Sequence, residues 1–158
     1  MPMSQLRQKP DIKLDQYGFT LIELVIIIVT LGILAAVAVP KFADMANASK
    51  VNATRQELHA IKKAIIGDPT VTAGGAYIDR GFEGDVGFVP SRLPDLVSRP
   101  DSVAAYNALS RLGWNGPYLD SSGSAYLSDA WGNTYVYVPA ARTILSVGAA
   151  HDTVGVTF

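Results

Sequence analysis

One carboxylate stands where carboxylates are rare. Glu23 sits at the head of an apolar run, and the stretch from Leu24 to Val39 carries no charge. A carboxylate within a membrane-type helix costs about 2.5–3.5 kcal/mol, so it normally has a partner or a task. No cation shares that run; the nearest one before it is Lys13. Two readings stay open. Glu23 snorkels from the first turn, where a helix dipole favours negative charge, or it pairs with a cation on another molecule. Either way the chemistry is charge pairing, not bond making. Catalytic constellations are missing. There is no cysteine, which excludes disulfides, Cys-ligated zinc and thiol nucleophiles. His59 and His151 lie far apart in sequence, no serine sits in G-x-S-x-G, and no phosphate or dinucleotide fingerprint occurs. The chain reads as a non-enzyme. His59, beside an apolar stripe, reads as a surface or interface residue.

The element that carries Glu23 is a helix long enough to span a bilayer. Phe19–Val39 covers 21 residues. As a helix it measures roughly 31 Å, against a hydrocarbon core of ~30 Å. Only 17% of the chain is charged, below the usual quarter for soluble domains. The formal net charge of −1 argues against a nucleic-acid binder, which normally shows a basic face. The segment ahead of the run, Met1–Gly18, is polar. Its Arg7, Lys9 and Lys13 favour a cytoplasmic N-terminus. A secretory signal would place small residues after its apolar region. No A-x-A-like site closes this run.

Past the run the helix is expected to continue. Val51, Thr54, Leu58, Ile61 and Ile65 recur at helical spacing, with polar residues on the other faces. Gly67-Asp68-Pro69 is a stop signal. Phe19–Ile66 would then form one helix of 48 residues, about 72 Å long. Pro40 removes the hydrogen bond to Ala36 and predicts a kink, the alternative being a plain helix boundary. Pro69–Asp101, rich in Gly, Pro and Asp, reads as a long loop with little regular structure. Asp101 or Ser102 predicts the cap of a short helix over Val103–Leu112. Thr134–Val138 and Thr143–Val147 read as strands joined by Pro139-Ala140-Ala141-Arg142, with Val154–Phe158 as a third. The expected class is α+β, with Leu58 and Ile61 packed on the sheet.

Gly18-Phe19-Thr20-Leu21-Ile22-Glu23, followed by the apolar run, resembles the N-terminus of type IV pilins and pseudopilins. The resemblance implies a pilin fold: a long N-terminal helix, membrane-spanning in its first half, on a small C-terminal antiparallel sheet, with a long αβ loop. It implies residues 1–18 as a prepilin leader, 19–39 as the membrane segment and 40–158 as a periplasmic domain. A prepilin peptidase would cut between Gly18 and Phe19 and methylate the Phe19 amine, although Tyr17 stands where a basic residue often precedes the glycine. The freed Phe19 amine of a neighbouring subunit would be the partner of Glu23. Opposite charges in low dielectric attract strongly, and each is expensive unpaired. Pro40 sits where many pilins carry a proline. Implied partners are the peptidase, identical and related subunits, an inner-membrane assembly platform and lipid, with no nucleic acid.

A second set of residues is similar to the major, G-type pseudopilin of type II secretion. It comprises Gly87, Leu93-Pro94 and Leu96, then Gly113-Trp114-Asn115-Gly116-Pro117-Tyr118-Leu119, Asp129-Ala130-Trp131-Gly132-Asn133-Thr134-Tyr135-Val136-Tyr137 and Ser146-Val147-Gly148-Ala149. That likeness implies a subunit of a short periplasmic filament that drives folded-protein export. A surface type IV pilus subunit and a non-polymerising membrane-anchored binding module are the alternatives. The same family binds calcium in a C-terminal loop, which makes Asp120, Asp129 and Asp152 candidate oxygen donors here. Calcium takes ~6–8 oxygens, so backbone carbonyls around Leu119 and Ser128 would have to contribute. Ala130 replaces the usual proline, and Ala150-His151 stands where an Asp-Gly pair is expected. The competing reading has Asp129 bridging the Trp131-Gly132-Asn133 turn through that turn's own backbone.

Overall fold

The computed structural model describes residues 18–120, 125–148 and 153–158. The chain divides into two units, Met1–Phe42 and Ala43–Phe158, and helix α1 (Leu21–Ile66) contributes to both. Thr20 starts the helix. Its hydroxyl accepts the Glu23 N–H at 3.2 Å and its carbonyl accepts that of Leu24 at 3.2 Å, which satisfies donors a helix start leaves open. The expected span therefore loses only its first two residues. Pro40 interrupts the hydrogen-bond ladder but does not end the helix. α1 is long and apolar enough to cross a membrane, and its most apolar 18-residue stretch has no buried residue.

In the second unit α1 is amphipathic, as its spacing predicts. Thr54, Leu58, Ile61, Ala64 and Ile65 are buried. Leu58, Ile61, Ala64 and Ile65 pack with Phe82, Leu93, Leu96, Tyr135, Ile144 and Val154 in one core. Each large apolar side chain so buried stabilises the fold by about 1.5–3 kcal/mol. α1 stops at Gly67, whose N–H returns to the Lys63 carbonyl at 2.7 Å. Asp68 then accepts the Lys63 ammonium at 2.7 Å and both the N–H and the hydroxyl of Thr70. These donors hold its carboxyl well below the usual carboxylate range.

The segment from Pro69 to Asp101 is more ordered than its composition predicts. β1 (Thr72–Ala73) and β2 (Ala76–Tyr77) form a small antiparallel hairpin closed by Gly74-Gly75. α2 (Gly81–Val86) follows and inserts Phe82 into the core. A 3-10 turn, Leu93–Leu96, is held by Asp95 accepting the Arg92 N–H at 3.0 Å. Sequence periodicity is blind to elements this short.

The helix expected over Val103–Leu112 does not form. Bridges pair Ala105 with Trp114 and Asn107 with Leu112. The Asn107 side-chain oxygen takes the Leu109 N–H at 2.8 Å. An asparagine that captures backbone donors in this way competes with a helix. The apolar side of such a helix would also lack a surface to cover, because Leu109 is 96% exposed.

The C-terminal sheet follows the sequence reading. β3 (Val136–Val138), β4 (Thr143–Ser146) and β5 (Val154–Thr157) are antiparallel in that order. Tyr137, Ile144 and Val156 pair across it and form one row on the core face. Arg142 closes the β3–β4 connection. It donates to the Phe158 carbonyl at 2.7 Å and forks onto both Glu83 oxygens at 2.8 and 2.7 Å. That bidentate pair ties α2 to the sheet and holds the Glu83 carboxyl below its ordinary range.

Candidate functional sites

Gly18 and Phe19 precede the helix and are exposed, Phe19 at 78%. No atom beyond its chain neighbours lies within 4 Å of a side chain built at Gly18. Glu23 occupies the third helical position, and its side chain forms no ion pair among the described residues. The leucines, isoleucines and valines that follow it are all exposed. This end of the chain therefore presents an open backbone, an apolar helix and one carboxylate.

The second region is the block Asp129–Tyr135. Its turn is closed by Asp129 N–H to the Asn133 carbonyl at 2.8 Å and Gly132 N–H to the Asp129 carbonyl at 2.9 Å. Three bonds dock it on α1. Ala130 N–H donates to Thr54 Oγ1 at 3.2 Å, Trp131 Nε1 to Asn47 Oδ1 at 3.2 Å, and the Tyr135 hydroxyl to Glu57 Oε2 at 3.0 Å. Positions 47, 54 and 57 share one helix face. Thr54 was legible as a member of the apolar stripe, and its fully buried hydroxyl proves to be an acceptor for the block. Asn47 and Glu57 carry no sequence signal beyond lying on the same face.

Asp129 itself is only 5% exposed. Oδ1 accepts the N–H groups of Trp131 at 3.0 Å and Asn133 at 2.8 Å. Oδ2 accepts the Ser146 hydroxyl at 2.6 Å, Asn133 Nδ2 at 3.3 Å and the Gly148 N–H at 3.4 Å. Burial pushes this carboxyl up, but the donors from Ser146, Asn133 and Trp131 outweigh burial and hold it below its ordinary range. The turn-bridging reading of Asp129 thus describes its geometry. Asp120 is exposed, and Asp152 lies outside the described residues. No group of three His, Asp or Glu side chains suited to a metal occurs among the described residues. Protein donors approach both oxygens of Asp129.

Glu57 is shifted the other way. Burial raises its pKa, the Tyr135 hydroxyl opposes that, and the Asp129 charge adds to the rise. A raised folded value means the folded chain holds more protons than the unfolded one. The associated stability is complete below the ordinary glutamate value of about 4.3 and is lost as pH climbs through the folded value. Asp68, Glu83 and Asp129 have lowered values, so their contributions are lost as pH falls. Glu57→Gln keeps an acceptor for Tyr135 and removes the charge. Its Tm relative to wild type should therefore rise as pH goes from 4 to 7, measured by thermal melts. A constant difference across that range refutes the coupling.

No family model matches this chain, and no solved structure matches it. Curated relatives do. A fimbrial protein of Pseudomonas aeruginosa is 36% identical over 84 residues, 51% of this chain and 53% of that protein. The type IV major fimbrial protein of Dichelobacter nodosus is 34% identical over 87 residues, 55% of this chain and 51% of its own. The type II secretion system core protein G of Xanthomonas campestris is 27% identical over 122 residues, 77% of this chain and 68% of its own. The chain spans about half the length of the first relatives it matches. A capped, largely apolar N-terminal helix carrying Glu23, an amphipathic continuation and a three-stranded C-terminal sheet accompany those similarities. With the glycine–phenylalanine–glutamate register at residues 18, 19 and 23, they make this chain similar to type IV pilins and to a type II secretion core protein.

Proposed function

We propose that this chain is a structural, non-enzymatic subunit of a type II secretion pseudopilus. One observation carries the choice of system. The similarity to core protein G extends over 77% of this chain and 68% of that relative, whereas the fimbrial similarities cover about half of each chain. In this reading residues 1–18 are a leader, and prepilin peptidase cuts between Gly18 and Phe19 and methylates Phe19. Residues 19–39 anchor the subunit once in the inner membrane with the N-terminus cytoplasmic, and residues 40–158 lie in the periplasm. An inner-membrane platform then draws subunits out into a filament that drives folded proteins outward. Glu23 supports the polymer: a carboxylate on an exposed apolar helix, with no ion pair among the described residues, calls for a cation from a neighbour.

The 36% identity to a fimbrial protein favours one other reading, a surface type IV pilus subunit. A deletion strain distinguishes the two. Loss of folded-protein export with surface fibres intact is the expected result, and loss of fibres with export intact replaces it with the pilus reading. A subunit that never cross-links to itself in the membrane refutes both and leaves a monomeric anchored module. In the same strain, Gly18→Val should fail to restore export and should accumulate uncut, because a branched side chain obstructs the open backbone at the cut. Appearance of the 140-residue product (Phe19–Phe158) from that variant removes the cleavage assignment.

A further inference from the structure

We propose that Asp129 closes the C-terminal loop by hydrogen bonding alone, so that the fold requires no divalent cation at this carboxylate. A carboxylate offers about four lone-pair positions. Five donors converge on Asp129, two on Oδ1 and three on Oδ2, at 2.6 to 3.4 Å. They come from three places in the chain: the turn backbone at Trp131 and Asn133, the Asn133 amide, and the Ser146–Gly148 end of β4. The Ser146 hydroxyl is the shortest of them and is fully buried. Ser146 also accepts the Gly148 N–H at 3.2 Å, so the hydroxyl links the carboxylate to the strand end. Asn133 Nδ2 reaches the Gly148 carbonyl at 3.1 Å and closes the ring. A cation entering here would have to turn these N–H and O–H groups away. The Ser146 hydroxyl would then be left buried without an acceptor, which costs about 1–3 kcal/mol. The donors join the Trp131–Asn133 turn to the Ser146–Gly148 strand end.

Thermal melts of the full chain in detergent, in millimolar calcium and in chelator, test this. The two wild-type curves should coincide. Ser146→Ala should lower Tm by about 4 °C in both solutions, since it deletes one buried hydrogen bond. Asp129→Asn should lower Tm more, equally in both, because its amide presents hydrogens to the Gly148 N–H. A calcium-induced rise of about 3 °C or more that vanishes in Asp129→Asn overturns the proposal. A rise that persists in Asp129→Asn places the ion elsewhere and leaves the proposal standing. If Asp129→Asn does not fold, terbium replaces calcium. Sensitised emission that is lost in Trp131→Phe, two residues from the carboxylate, overturns the proposal; absence of that emission supports it.

Discussion

Glu23→Ala should insert into the membrane at wild-type level and yield few filaments. Insertion should improve if anything, because the substitution removes a carboxylate worth about 2.5–3.5 kcal/mol against burial in lipid. On the proposed pairing, assembly should suffer because the Phe19 amine of the neighbouring subunit would be left desolvated and unpaired. Breaking such a pair by removing one partner costs about 3–5 kcal/mol. At 1.4 kcal/mol per factor of ten, that weakens subunit addition by about 100-fold or more. A damaged helix start is no competing explanation. The cap bond runs from the Glu23 backbone N–H to Thr20 Oγ1, and alanine or glutamine at position 23 can make it. The interaction of the carboxylate with the helix dipole is worth only about 0.3–1 kcal/mol. Glu23→Gln sharpens the test, since it keeps length and polarity and loses the charge. The measurement is filament yield against subunit level in membranes. Wild-type yield from either variant refutes pairing through charge.

What the sequence discloses here follows from how local each signal is. The apolar run and the stripe from Val51 to Ile65 are periodic over many turns, so α1 is readable to within two residues at its start and correctly at its end. The three strands are readable because β-rich runs are separated by Pro139 and by the glycine at 148. Val103–Leu112 misleads for a tertiary reason. Val103 is buried at 5% exposure while Leu109 is 96% exposed, so the stripe that suggests a helix faces two environments. Asn107 then decides the matter through its side chain. At Asp129 the sequence marks a carboxylate that must be satisfied but not the group that satisfies it. Its turn donors are two and four residues away, whereas Ser146 is 17 away and reaches it only once β4 is in place. Glu57 and Asn47 escape notice for the same reason, their partners lying 78 and 84 residues off.

Gly81→Ala should strongly destabilise the second unit. Gly81 and Gly67 meet back to back where the end of α1 abuts the start of α2. A Cβ at Gly81 would stand 2.2 Å from the Gly67 nitrogen and 2.8 Å from the Ile65 carbonyl oxygen. These are backbone atoms and cannot rotate aside. The residue also sits at φ +61°, in the left-handed region, which costs an L-residue with a side chain about 1–2 kcal/mol. Relief requires α2 to move, and α2 carries Phe82, fully buried against α1, and Glu83, forked onto Arg142. Forced displacement of a packed element costs about 1–3 kcal/mol more. The sum, about 2–5 kcal/mol, is a large part of the 5–15 kcal/mol typical of a domain. It corresponds to a fall in Tm of roughly 10–20 °C. Gly87→Ala is the control. Its φ of +92° is also left-handed, but no atom lies within 4 Å of the added carbon. That variant should lose only the conformational part, and equal losses at the two positions would remove the close approach as a cause. In cells the two kinds of failure separate. A subunit whose second unit unfolds is open to proteolysis, so the level of Gly81→Ala should fall in membranes. Glu23→Ala should stay abundant there and simply not polymerise.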